Sequence, residues 1–212
     1  MVKKVLYVLG TMAAVIAMVL YFFGEEFKQA AYDKLTEDMY VSEDADDFDP
    51  GPPVGSAFPA VAASYKGRSI SSLEEFYGPN GLAFVATRSA DWCPYCMKQM
   101  IQLQEHKAEF DAAGIGLLAI TYDDPVLQQA FIDKWRIEYP MLHDLQAETF
   151  MTLGILNAEY EPGDSSYGIP HPGMIVVDSE GNIAGKLFLE AYSTRVDAVA
   201  SLAYAKEMLG LE

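Results

Sequence analysis

Apolar and polar positions divide this chain into a long apolar start, a polar acidic stretch, and a series of short apolar runs separated by turns. Val5 to Phe23 is an unbroken run of 19 uncharged residues, close to the ~20 needed to cross a hydrocarbon core as a helix. Beyond residue 50 the pattern changes to alternating strands and helices. "GLAFVATR" (81–88) follows the turn "GPNG" and reads as a buried strand. Pro94 to Ala113 reads as a helix, with Met97, Met100, Ile101, Leu103, Ala108 and Phe110 on its apolar side and Gly114 as its stop. "IGLLAIT" (115–121) is a second buried strand, and "PVLQQAFIDKW" (125–135) a helix opened by proline. "YPMLHD" (139–144) reads as a short edge strand and "QAETFMTLGI" (146–155) as a short helix. "GMIVVD" (173–178) and "IAGKLFLE" (183–190) flank "SEGN" as a hairpin. The last helix spans 194–210, with Thr194 as its cap and Val196, Val199, Leu202 and Ala203 as its stripe. Two buried strands with helical crossovers, then a hairpin and a helix, predict an α/β sheet covered on both faces.

The flanks of the first run set its expected orientation. Lys3 and Lys4 precede it, Glu25 and Glu26 follow, and positive residues stay on the cytoplasmic side. Tyr21, Phe22 and Phe23 would lie at the interface. A cleaved signal peptide has a shorter apolar core and a small-x-small site, which "YFFGEE" lacks. The expected organisation is a transmembrane signal-anchor over 1–24, an acidic linker over 25–50 ending in "SEDADDFDPGPP", and a folded domain over 51–212, held in the periplasm or otherwise outside the cytoplasm. A net charge of −17 repels phosphate backbones and argues against nucleic acid as a partner. The ten methionines fall mostly in the anchor or on apolar faces and read as packing.

Candidate chemistry concentrates in "SADWCPYCMKQM" (89–100), which holds both cysteines, Cys93 and Cys96. Cys93 falls where a strand-following loop enters a helix, and Pro94 suits the first helical position. A sulfur there meets unpaired N–H groups and the helix dipole, which favour a thiolate. A structural disulfide stabilises chiefly by closing a long loop, and two intervening residues close almost none. Zinc normally needs four ligands, and no second pair exists. A redox pair is the favoured account, with Cys93 as the exchanging sulfur and Cys96 as the resolving one, and no cofactor beyond the disulfide itself.

"GPNGLAFVATRSADWCPYCMKQMIQLQ" and the later "YGIPHPGMIVVDSEGNIAGKLFLEAY" resemble the thioredoxin superfamily, in its redoxin branch of alkyl hydroperoxide reductase/thiol-specific antioxidant and TlpA-like proteins. The resemblance spans roughly 51–210. It implies a thioredoxin-like fold, a central mixed sheet flanked by helices. It implies a cis-proline before the third core strand, matched here by Pro172, with His171 before it and Pro170 the poorer match. In the family that backbone pairs with a partner's extended chain. His171 then either lies near Cys93 and supports its thiolate or is an exposed loop histidine. Trp92, Pro94 and Tyr95 complete the expected partner-binding surface, while His106 and His143 read as structural or solvated.

Departures from the family matter as well. Thr87 stands where thioredoxins carry a buried Asp, so proton transfer from Cys96 needs another route. Ala90 stands at the threonine position of the peroxiredoxin motif, and Pro172 where their arginine would be expected. Both count against a peroxidase, although Arg88 could substitute. The leading expectation is a membrane-anchored thiol–disulfide oxidoreductase that exchanges with a protein dithiol or disulfide and a redox partner. The alternatives are a peroxiredoxin-like peroxidase with antioxidant activity, using Cys93 as peroxidatic thiol, and a Cu(I)-binding or delivery protein using Cys93, Cys96 and His171.

Overall fold

The structure, a computed structural model, describes residues 2–212 except Leu145, with the side chains of 1–8, 10, 11 and 13–17 outside the description. The chain divides into two compact units, Met1–Asp38 and Met39–Glu212. The first is a single helix, α1 (Val2–Leu35). Its exposed end carries a Gln29–Asp33 hydrogen bond of 3.0 Å and a Lys34–Glu37 ion pair. Much of the expected anchor over 5–23 lies outside the described side chains. Among the described residues no helix is long and apolar enough to cross a membrane.

The second unit opens with β1 (Tyr40–Val41), β2 (Ala63–Tyr65) and β3 (Arg68–Ile70), followed by β4 (Gly81–Ala86). Next come α2 (Pro94–Glu105), α3 (Lys107–Ala112), β5 (Ile115–Thr121) and α4 (Pro125–Trp135). The chain then forms β6 (Met141–His143), α5 (Glu148–Leu153), β7 (Gly173–Asp178), β8 (Ile183–Phe188), β9 (Arg195–Val196) and α6 (Ala198–Met208). One ladder runs β3-β2-β6-β5 and a second β4-β7-β8. Their inner strands β5 and β4 meet, Thr87 N–H donating to Ile120 O at 3.1 Å. The result is a mixed sheet, with β5 and β6 parallel and the β4-β7-β8 ladder antiparallel.

The strands are apolar on both sides because both faces are covered. Ala83, Val85, Met100, Phe110, Leu117, Val176 and Ala205 pack on the face of α2 and α6. Leu82, Phe84, Leu118, Ile120, Phe150, Ile175 and Val177 pack on the other. The register fixes where the site can be. Ala86 opposes Gly173, and Gly173 opposes Phe188. The loop after β4, the residues before β7 and the chain after β8 therefore leave the sheet at one end.

Several expectations change. The helix over 94–113 breaks at His106, which caps the end of α2 and the start of α3. Strand β6 is interior, between β2 and β5, and not an edge. The hairpin of β2 and β3, turned by Lys66 and Gly67 at φ of 48° and 76°, escaped the hydrophobic pattern because each strand has three residues. Helix α6 begins later, capped by Asp197, whose Oδ1 accepts from Ala200 N at 2.9 Å. Arg195 and Val196 are strand, and Val199 is 60% exposed while Ala198, Ser201 and Ala205 are buried.

The acidic stretch was expected to be a solvated linker, but its last part is bonded to the domain. β1 pairs in parallel with β9. Asp44 accepts from Phe188 N at 3.0 Å and Asp46 from Glu190 N at 2.9 Å. Asp49 pairs with the buried Lys186 at 2.8 Å. Asp44 and Asp46 satisfy N–H groups at the end of the outer strand β8 and just beyond it, which a pattern reading of charge cannot anticipate.

Candidate active site

Cys93 is the residue before α2, and Pro94 is its first helical residue, as expected. The two cysteines form a disulfide with Cα atoms 5.3 Å apart. Cys96 N–H points at Cys93 Sγ, 3.4 Å away, so the helix start does face this sulfur. Both cysteines are buried.

The loop carrying the pair is held from beneath by Asp123, on the loop after β5. Its Oδ1 accepts from Ser89 Oγ and its Oδ2 from Ala90 N, both at 2.6 Å. Ser89 Oγ in turn accepts from Asp91 N at 2.9 Å and Trp92 N at 3.2 Å. Burial pushes the Asp123 carboxyl above the usual carboxylate range, opposed by its bonds from Ser89, Ala90 and Thr121. Thr87 is buried, its hydroxyl unpartnered among the described residues.

Behind the pair lies Arg195, only 3% exposed. Its NH2 donates to Cys96 Sγ at 3.5 Å and its Nε to Gln99 Oε1 at 3.0 Å. Its NH1 donates to the carbonyls of Tyr192 and Thr194, each at 2.6 Å. Burial, then the nearby charge of Arg88, pulls the guanidinium down to about 9. A cavity of about 20 Å³, room for one water, lies between Gln99, Pro172, Met174 and Arg195.

On the outer side stand the aromatics. Trp92 is 40% exposed, and its Nε1 donates to Tyr122 Oη at 3.2 Å. Tyr95 packs edge-on to Tyr192, ring centres 6.1 Å apart. Arg88 lies under Tyr192 and Trp92, at 4.7 and 5.5 Å from their ring centres.

One expectation from the later block needs correction. The cis bond implied for Pro172 is absent: no cis peptide occurs among the described residues. Pro172 is nevertheless brought to the pair's side, lining the small cavity with Gln99 and Arg195. His171 packs its ring on Phe48, centres 4.9 Å apart, and its backbone N–H donates to Ile155 O at 2.7 Å. Among the described residues no hydrogen bond joins it to either sulfur; Arg195 makes that contact instead. Burial lowers the His171 pKa, with Arg88 acting in the same sense and Glu159 against. Among the described residues, with the pair in its disulfide form, no group of three His, Cys, Asp or Glu side chains is placed to hold a metal ion.

Sequence reasoning missed Arg195, Gln99, Asp123, Ser89, Tyr122 and Tyr192. The signal for Arg195 was the last arginine of an acidic chain, just ahead of the final helix. Asp123 hid beside Asp124, the cap of α4.

A disulfide at a strand-to-helix junction, in a mixed sheet covered on both faces, defines a redoxin of the thioredoxin-like kind. Residues 54–186 match the AhpC/TSA family model, and the chain belongs to that family. Over 117 residues it is 28% identical to the chloroplastic peroxiredoxin Q of Gentiana triflora, covering 55% of this chain and 50% of that protein. Over 130 residues it is 25% identical to a putative peroxiredoxin bcp of Haemophilus influenzae, covering 61% of this chain and 82% of that one. The match to the gentian protein thus spans about half of its length. Among solved structures, peroxidoxin BcpB of Mycobacterium tuberculosis aligns with a TM-score of 0.57 at 18% identity, over 73% of this chain and 96% of that one. Reduced Prx3 of Vibrio vulnificus aligns with a TM-score of 0.63 at 18% identity, over 73% and 99%. These likenesses support the thioredoxin-like fold.

Proposed function

We propose that the chain is a thiol peroxidase whose two cysteines cycle between dithiol and disulfide. The observation that carries this is the Cys93–Cys96 disulfide at the start of α2, in a domain whose relatives bear the name peroxiredoxin. The Cys93 thiolate attacks the outer oxygen of a hydroperoxide and the O–O bond breaks. Cys93 becomes a sulfenic acid, and the departing alkoxide takes a proton. The Cys96 sulfur then displaces hydroxide from Cys93, giving the disulfide and, with the Cys96 proton, water. An external dithiol reduces the pair by exchange. Ser89, Ala90 and Asp123 hold the loop, and Arg195 stabilises charge on Cys96.

The test is single turnover of the pre-reduced full chain with hydrogen peroxide and an organic hydroperoxide. Tryptophan fluorescence and free-thiol counts follow the reaction. Expected is loss of both thiols with one peroxide consumed, stopped by Cys93→Ser and halted at a Cys93 sulfenic acid in Cys96→Ser. No reaction faster than that of free cysteine would overturn the reading.

A second reading, exchange with a protein dithiol or disulfide, is favoured by the exposed Trp92 beside the pair. It predicts catalysed reduction of a protein disulfide without peroxide. For either reading we propose that residues 5–23 anchor the chain and that the domain works outside the cytoplasm. The run of uncharged residues and its lysine flank support this. Protection of the domain from cytoplasmic labelling in intact cells checks it.

A further inference from the structure

Among the described residues Arg88 is a largely buried cation that forms no ion pair. It is 7% exposed, and its Nε has no hydrogen-bond partner among the described residues. The Asp123 carboxylate, on the neighbouring loop, has both oxygens engaged by Ser89 and Ala90. What surrounds the guanidinium is aromatic: Tyr192 at 4.7 Å and Trp92 at 5.5 Å. An aromatic face attracts a cation, and a guanidinium shielded from water bonds an anion more strongly than a neutral group.

The rings that cover Arg88 face solvent. Trp92 is 40% exposed and Tyr192 57% exposed. Tyr95 extends the surface from Tyr192, and Tyr122 extends it from Trp92. Trp92 and Tyr95 lie one residue before and two after Cys93 in the chain, so the surface adjoins the redox pair. The Arg88 charge acts on the same space, since it bears on Tyr122, His171 and Arg195. A planar guanidinium fork matches a carboxylate, and flanking rings match an apolar body. A protein of net charge −17 repels anions at long range, so selection here acts through contact.

We propose that Arg88, Trp92 and Tyr192 form a subsite for the carboxylate of an apolar organic molecule. Resting on the peroxidase reading, the substrate class is a carboxylate-bearing organic hydroperoxide, held by its acid group at Arg88 with its O–OH group toward Cys93. The redox step is the one written above. Only the placement of the substrate is added.

Binding and turnover are measured separately on the full chain. The first arm titrates the oxidised protein, which cannot turn over, with 4-isopropylbenzoate and with its methyl ester, by calorimetry. Charge-assisted hydrogen bonds of about 1.5–3 kcal/mol predict roughly tenfold to hundredfold tighter binding of the acid. Arg88→Gln is expected to erase that ratio and Arg88→Lys to keep part of it, with folding of both checked by circular dichroism. The second arm compares kcat/KM for a carboxylate-bearing hydroperoxide and its methyl ester within each variant. The acid is expected to be favoured in the wild type and the ratio to fall to about one in Arg88→Gln. Equal binding of acid and ester by the wild type, or an unchanged ratio in Arg88→Gln, overturns the subsite. Peroxide turnover without acid preference overturns the subsite alone. Arg88-dependent acid binding without any hydroperoxide turnover supports the subsite and overturns the peroxidase.

Discussion

At the residue scale, two buried charged groups hold the redox pair from different sides. Arg195 donates to Cys96 Sγ, and a positive donor stabilises a thiolate and hence the reduced form. Arg195→Met is therefore expected to lower the reduction potential, by about 15–30 mV for a lost interaction near 1 kcal/mol. Arg195→Lys keeps the charge and should recover part of it. Equilibration against glutathione buffers reads both. A merely structural Arg195 would lower the melting temperature and leave the potential where it was. Asp123 acts on the loop rather than the sulfur. Asp123→Ala strands the Ser89 hydroxyl and the Ala90 N–H in the interior and is expected to cost about 2–3 kcal/mol in denaturant unfolding.

Strand-to-loop contacts at the element scale leave no room for side chains at certain glycines. A Cβ on Gly116, in β5, would stand 2.1 Å from Phe76 O and 2.8 Å from Gly78 N, both backbone. The 3₁₀ turn at Glu74–Phe76 and the chain after it press directly on this strand. Gly116→Ala is expected to destabilise by about 3 kcal/mol, read from the midpoint of urea unfolding. The same substitution at Gly154, where φ is 66° and nothing lies nearby, costs only backbone strain of about 1 kcal/mol.

At the scale of the whole molecule, histidine burial sets a pH response. His171 and His143 both have lowered pKa values, each chiefly from burial. A lowered histidine binds fewer protons folded than unfolded, so stability falls as pH drops below the ordinary value of about 6.5. The loss continues until the folded value is passed. His171→Gln should flatten the decline in melting temperature between about pH 6.5 and 5 relative to wild type. An identical slope in both proteins would remove His171 as a contributor. The acidic strap supplies a second whole-molecule effect. Lys186 holds Asp49 and the carbonyl of Pro50, and Lys186→Met should free residues 44–50 to proteolysis while the sheet stays folded.

The sequence by itself determined the α/β class, most core strands, and the cysteine pair at a helix start. Those depend on local pattern: runs of apolar residues too short for helices, Pro94 after Cys93, and the turn before β8. It did not show that Arg195 reaches Cys96, that Asp123 clamps Ser89, or that Arg88 is buried among rings. Apart from Trp92, these partners are far apart in the chain and meet because β4, β5, β7 and β8 deliver their loops to one end of the sheet. It also misread the acidic stretch, because a charge run looks solvated until a strand edge offers it N–H groups. Local periodicity is written in neighbouring residues. The environment of a charged side chain is decided by which distant segments the sheet brings beside it.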